Sequence, residues 1–143
     1  MKGNPVAIEN MPRLFEEVDP ETDELASRVV EAAFRVHRTL GPGLLENAYE
    51  LCLFYELNKL GLKAQRQVDI PLTYGEVRLD AGFRLDLLVE NRIIIEVKAV
   101  DSLLPIHEAQ ILTYLKLTGN KLGFLMNFNV RLLKKGLKRV VLS

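Results

Sequence analysis

Hydrophobic and polar residues alternate with two different periods along the chain, which separates predicted helices from predicted strands. Over residues 25–36 the apolar positions recur at helical spacing, and Thr22 or Asp23 is placed to cap that helix. A second helix is predicted over residues 44–60, ending at Gly61, which suits a left-handed C-terminal position. Its expected buried face consists of Leu45, Ala48, Leu51, Cys52, Tyr55 and Leu60. Two helices therefore precede the first predicted strand.

The period then changes from 3.6 to two, which is typical of β-strands with one buried face. Residues 68–74 alternate up to a turn at Gly75 and Glu76, and residues 77–89 carry apolar side chains at every odd position. A turn over residues 90–92 leads to the β-branched run 93–100, which is typical of a central strand. We therefore expect three consecutive antiparallel strands.

Further elements complete a mixed fold. Residues 106–117 predict a helix ending at Gly119, residues 121–128 predict another buried strand, and a basic segment over 131–139 precedes a short apolar end. This order predicts a single α/β domain over residues 22–143, with a mixed sheet covered by helices on at least one side. Residues 1–21 contain three prolines and no sustained period, so we expect a partly ordered N-terminal arm.

Composition narrows the classes of function. The 143 residues suit one hydrophobic core, and the 19 basic residues equal the 19 acidic ones, so nucleic-acid binding would need a local basic patch. The single cysteine excludes an internal disulfide and a zinc knuckle. No apolar run approaches the roughly 20 residues that span a bilayer, so we expect a cytoplasmic protein without membrane contact.

The alternation of the strands places three charged residues together. If residue 89 faces residue 93, the apolar positions 85, 87, 95 and 97 share one face, and Asp86 lies across from Glu96 on the reverse face. Lys98 follows two residues later on that same face. Two opposed carboxylates cost roughly 0.2 to 1 kcal/mol unless they are neutralised.

Two interpretations of this cluster are open. Mg²⁺ prefers hard oxygen ligands and commonly uses one or two protein carboxylates, and a neighbouring lysine can orient an attacking water. That chemistry is phosphodiester hydrolysis. In the simpler interpretation Lys98 forms salt bridges with Asp86 and Glu96 on a solvated sheet face.

The order of the motifs resembles the GxxExxY family of the PD-(D/E)xK nuclease superfamily. The naming motif stands at residues 43–49 (GLLENAY), and the nuclease signature stands at 84–89 (RLDLLV) and 95–99 (IEVKA). Residues 107–116 (HEAQILTYLK) are similar to the family's H-E-A-Q helix and to the Q-x-x-x-Y element of RecB-like exonucleases. The resemblance runs over residues 22–142 and implies a restriction-endonuclease-like fold.

The resemblance also implies roles for individual residues. Asp86 and Glu96 would bind Mg²⁺ or Mn²⁺, Lys98 would assist the water nucleophile, and Glu46 would be a further metal ligand or support those ligands. Gln110 and Tyr114 would border the site and orient Lys98 or a substrate phosphate. Plain alternatives are that Glu46 stabilises a helix N-terminus and that Gln110 and Tyr114, four residues apart, support the structure.

We therefore expect a magnesium-dependent nuclease acting on DNA, or alternatively on RNA. The competing hypothesis is a nuclease-fold module without catalysis that binds nucleic acid or a protein partner. The basic segment 131–139 is either a solvated face or a grip on a phosphate backbone. The pattern leaves the strand type of the substrate, endonuclease or exonuclease action and the oligomeric state open, a homodimer included. His37 and His107 are assigned no catalytic role.

Overall fold

The computed structural model describes residues 18–142, and it shows the predicted α/β fold with a mixed sheet. In chain order the elements are α1 (Pro20–Leu40), α2 (Glu46–Lys59), β1 (Ala64–Tyr74), β2 (Val77–Val89), β3 (Ile93–Lys98), α3 (Pro105–Thr118), β4 (Leu122–Asn127), the 3₁₀ turn Leu133–Lys135 and β5 (Leu137–Val141). Most of the expected arm, residues 1–17, lies outside the described residues, and its last two residues belong to α1.

The five strands lie in the order β1-β2-β3-β4-β5. The expected antiparallel meander of β1, β2 and β3 is confirmed, and α3 is the crossover that makes β4 parallel to β3. The first two helices pack on one face of the sheet and α3 packs on the other. Burial on both faces is why β3 needs a nearly continuous apolar run.

The start of α1 differs from the sequence prediction. Asp19, rather than Thr22 or Asp23, caps the helix, and its Oδ1 accepts a hydrogen bond of 2.7 Å from the Thr22 amide. Pro20 explains the earlier start, because proline has no amide hydrogen to satisfy and its fixed φ suits the first helical position.

The predicted buried face of α2 is wrong for Leu45, Leu51 and Tyr55, which are exposed, while Cys52 and Leu60 do pack against the core. Leu45 and Tyr55 are 77% and 61% exposed, whereas Tyr49, Leu53 and Leu57 are completely buried. The ring of Tyr49 stacks on Phe128 with centroids 4.8 Å apart, which anchors this side of the helix to the sheet. The helix is apolar on two sides, and it is rotated about its axis relative to the predicted orientation. The same rotation directs Glu50 inward.

The predicted uniform face of β2 is also wrong. Val77 and Leu79 are exposed, since the first half of β2 extends with β1 beyond the helices. Leu85 packs beneath α3, whereas Leu87 packs beneath α1 and α2, so the buried face changes between them. Beside this point in β1 stands Gln67, a non-glycine residue with a φ of +51°. The two strands change face together at Asp86.

Candidate active site

The β2–β3 ladder ends just before the predicted pair of acids. Leu87 pairs with Ile95 and Val89 with Ile93, in the predicted register, but the expected pair of Leu85 and Val97 does not form. At the next position the Val97 amide donates 2.8 Å to Asp86 Oδ2, and the Asp86 amide donates 3.1 Å to Glu96 Oε2. Each carboxylate thus replaces a main-chain carbonyl as acceptor, which brings the two acids together where the strands part.

Burial makes the ionised form of both acids unfavourable. Glu96 is only 4% exposed, and desolvation followed by the charge of Asp86 raises the pKa of Glu96 to about 8. Burial also raises the pKa of Asp86, with Glu50 and Glu46 adding to the effect, while the Val97 amide and Lys98 oppose it. A buried Glu96 and a half-buried Asp86 that repel each other favour a bound cation or a retained proton.

Lys98 stands at the end of β3, half-buried, with Asn127 beside it on β4. Its positive charge lowers the pKa of both Asp86 and Glu96, so it lies near them. Within residues 18–142, however, Lys98 forms no ion pair with either acid. Direct salt bridges on a solvated face therefore do not explain the cluster.

Glu46 is brought to the edge of the site from a distant part of the sequence. It is the first residue of α2, and its Oε2 accepts a hydrogen bond of 3.1 Å from the Ala99 amide, directly after Lys98. Tyr49 fixes the preceding loop, because its hydroxyl donates to Gly41 O at 2.6 Å and accepts from the Leu44 amide at 3.1 Å. Glu46 also occupies the first turn of α2, where its negative charge stabilises the helix N-terminus through the helix dipole. Its position therefore agrees with both interpretations.

Tyr114 approaches the acids from α3, on the face of the sheet opposite α2. The pKa of Tyr114 is raised by burial and then by the charges of Glu96 and Asp86, while hydrogen bonding with Gln110 opposes the shift. The ring of Tyr114 stacks on Phe83 of β2 at 4.7 Å between centroids. Tyr114 therefore lies near both acids and also packs on β2, while Gln110 forms a hydrogen bond with it from the preceding turn of α3.

Glu50 is an acid that the sequence reasoning missed. It is 5% exposed and accepts hydrogen bonds from Arg66 Nε at 3.1 Å and from Gln67 Nε2 at 2.8 Å. Its charge raises the pKa of both Asp86 and Glu96. The available signal was its spacing of four residues from Glu46, which places both acids on one helix face.

The side chains of Asn127, His37 and His107 form hydrogen bonds to the main chain. Asn127 is buried, and its side chain donates to Val100 O at 2.9 Å and accepts from the Val100 amide at 3.0 Å, which holds the chain after β3. His107 Nδ1 accepts from the Leu104 amide at 3.0 Å, and His37 Nε2 donates to Val130 O at 2.7 Å. These contacts agree with leaving both histidines out of the chemistry.

The fit of a metal can be tested on the donor atoms. In the described part of the chain no three His, Cys, Asp or Glu side chains form a ready metal site. Asp86 and Glu96 nevertheless each keep one carboxylate oxygen that accepts no hydrogen bond within residues 18–142. Because Mg²⁺ commonly takes one or two carboxylates and fills its remaining positions with water and phosphate, this pair fits such an ion.

The fold and these acids define a nuclease-like domain, and comparison with known families agrees. A family model described as the PD-(D/E)XK nuclease superfamily matches residues 23–140. The chain therefore belongs to the PD-(D/E)XK nuclease superfamily, a membership that indicates nuclease activity and nucleic-acid binding. Neither the curated proteins nor the solved structures include a significant match. No helix in residues 18–142 has the length and apolar character needed to cross a membrane.

Proposed function

We propose that this protein is a divalent-metal-dependent nuclease that hydrolyses phosphodiester bonds in DNA or, alternatively, in RNA. The observation that carries the proposal is the pair of open carboxylate oxygens on Asp86 and Glu96 at the end of the β2–β3 ladder. Membership of the PD-(D/E)XK superfamily supports it. The ion would be Mg²⁺ or Mn²⁺, held by Asp86 and Glu96 with Glu46 as a further ligand or support.

Each side chain of the candidate site would have a role that follows from its position. Asp86 and Glu96 would hold the cation, and a bound ion would supply Lewis-acid chemistry, namely polarisation of a phosphoryl oxygen and a lower pKa for water. Lys98 holds the attacking water and offsets negative charge that develops on the phosphoryl group. Gln110 and Tyr114 orient Lys98 or a substrate phosphate from the side of α3.

The test is cleavage of nucleic acid by purified protein. Labelled single-stranded DNA, duplex DNA and RNA are incubated with Mg²⁺, with Mn²⁺ or with EDTA. We expect cleavage with either ion and none with EDTA, and we expect Glu96→Gln to remove it. The matched control is Glu76→Gln, an isosteric change in the exposed turn between β1 and β2, which should cleave like the unmodified protein.

Absence of metal-dependent cleavage on all three substrates would overturn the proposal. The same holds if Glu96→Gln cleaves like the control. In either case the remaining hypothesis is a nuclease-fold module that binds nucleic acid or a protein partner without cutting.

A further inference from the structure

A cavity of about 580 Å³ lies between the C-terminal end of α1 and the segment after β4. Three cationic side chains border it, namely Arg38, Arg131 and Lys134, and no carboxylate does so. Phe34 and Leu132 add apolar surface. We call Arg38, Arg131 and Lys134 the basic strip.

The charges of the basic strip are available to an external anion. Within residues 18–142 none of its three members forms an ion pair. The end of the same basic segment is neutralised instead, because Lys138 pairs with Glu108 at 3.2 Å and Arg139 pairs with Asp23 at 3.0 Å. The fold thus separates the segment into a paired part and an unpaired part.

Short connections place the basic strip at the same edge of the sheet as the candidate active site. The Phe128 amide donates to Lys98 O at 2.9 Å, and Asn129 Oδ1 accepts from the Gly43 amide at 3.1 Å in the loop before Glu46. The buried ring of His37 holds Val130, the residue directly before Arg131. The segment that carries Arg131 is therefore bonded to the end of β3, to the loop before α2 and to the end of α1.

We infer that the basic strip binds backbone phosphates of the nucleic-acid strand whose scissile bond lies in the candidate site. The inference rests on the proposed function and assigns the substrate's path across the surface. Arginine and lysine bind phosphate through charge and hydrogen bonds without reading base sequence. The basic strip would also let a protein without net charge bind a polyanion, because the strip concentrates positive charge in one place.

The experiment measures binding separately from cleavage. Anisotropy of labelled single-stranded and duplex DNA is recorded with the Glu96→Gln protein in EDTA over a series of salt concentrations. The strip variant adds Arg131→Glu and Lys134→Glu. The matched control adds Lys116→Glu and Lys121→Glu, which make the same change in net charge at two exposed lysines near the start of β4, at the opposite end of the sheet.

We expect the strip variant to bind at least about tenfold more weakly at moderate salt, with a salt slope lower by about two. The control should keep the salt slope of its parent, the Glu96→Gln protein without further substitutions. Circular dichroism melts establish that both variants fold. If the charge reversals prevent folding, Arg131→Gln with Lys134→Gln provides a milder pair of substitutions.

The results distinguish the inference from the proposed function. Equal affinity and slope in the strip variant and the control would overturn the basic strip, as would absence of DNA binding by the parent. Weakened binding by the strip variant without cleavage by the unmodified protein would overturn nuclease function and leave the basic strip in place. If both hold, the strip variant in the unmodified background should raise KM and leave kcat nearly unchanged.

Discussion

The Val97 amide donates a hydrogen bond of 2.8 Å to Asp86 Oδ2, so a side chain of β2 takes the place of a main-chain acceptor. The reciprocal bond runs from the Asp86 amide to Glu96 Oε2 at 3.1 Å. Leu87 and Ile95, the last regular pair before this point, are completely buried. The two acids therefore stand on rigid strands beside the core, which suits a site that must hold a cation in fixed geometry.

Glu96 should make the stability of the metal-free protein depend on pH. In the folded protein the Glu96 carboxyl group keeps its proton up to about pH 8, whereas in the unfolded chain it releases the proton near its ordinary pKa of 4.5. The stabilising contribution is complete below pH 4.5 and is lost as pH rises through 8, because the folded state binds more protons in that window. We expect the free energy of unfolding in EDTA to fall over this range by on the order of a few kcal/mol relative to Glu96→Gln.

Urea denaturation from pH 5 to pH 9 measures this difference, with Glu76→Gln as the variant that should keep the slope of the unmodified protein. Adding Mg²⁺ at pH 8 should restore stability to the unmodified protein more than to Glu96→Gln, because an ion that binds only the folded state stabilises it. Identical pH profiles for the unmodified protein and Glu96→Gln would contradict the proposed burial of this acid.

Lys98→Ala should lower the rate of cleavage by on the order of 100-fold, because it removes the cation beside the developing phosphoryl charge. The fold should survive, since Lys98 is half-buried and forms no ion pair in the described part of the chain. Single-turnover cleavage with saturating Mg²⁺ provides the measurement, and Lys121→Ala at the far end of β4 is the control. A Lys98→Ala rate equal to the control would remove Lys98 from the chemistry.

Tyr49→Phe should disturb the placement of Glu46. The change deletes a hydroxyl that bridges Gly41 O and the Leu44 amide, at a net cost of about 1 kcal/mol for each hydrogen bond. Calorimetric titration with Mn²⁺ should show weaker binding if Glu46 contributes to the metal site. Tyr74→Phe is the matched control, because Tyr74 is 81% exposed at the end of β1. Weaker Mn²⁺ binding in both variants would show a general effect unrelated to the loop.

Glu50→Ala should destabilise the protein by about 2 kcal/mol, because Gln67 and the partly exposed Arg66 lose the buried carboxylate that accepts their hydrogen bonds. Glu31→Ala, which removes the exposed pair with Arg35, should cost less than about 1 kcal/mol. Thermal or urea denaturation of the two variants side by side decides the matter. Equal losses would mean that Glu50 contributes no more than a surface acid.

The hydrophobic pattern predicts the register of the two strands that carry Asp86 and Glu96, but not the change of face at Asp86. Alternation along β2 and β3 predicts their register, which the pairs Leu87–Ile95 and Val89–Ile93 confirm, and hydrogen bonds to their carboxylates join Asp86 and Glu96 where that ladder ends. Such a prediction works because antiparallel neighbours are close in the chain and a slip of one residue would bury charges among apolar side chains. The order of the motifs likewise indicates the superfamily that the family comparison shows.

Tertiary contacts decided the rest. The second helix is apolar on two sides, so only packing against Phe128 and the sheet selects Tyr49 for burial and turns Glu50 inward. The change of face at Asp86 coincides with the positive φ of Gln67 in the partner strand, a conformation that the alternation of either strand does not indicate. The division of the basic segment depends on acids far away in sequence, because a local charge pattern does not contain the partner that neutralises it.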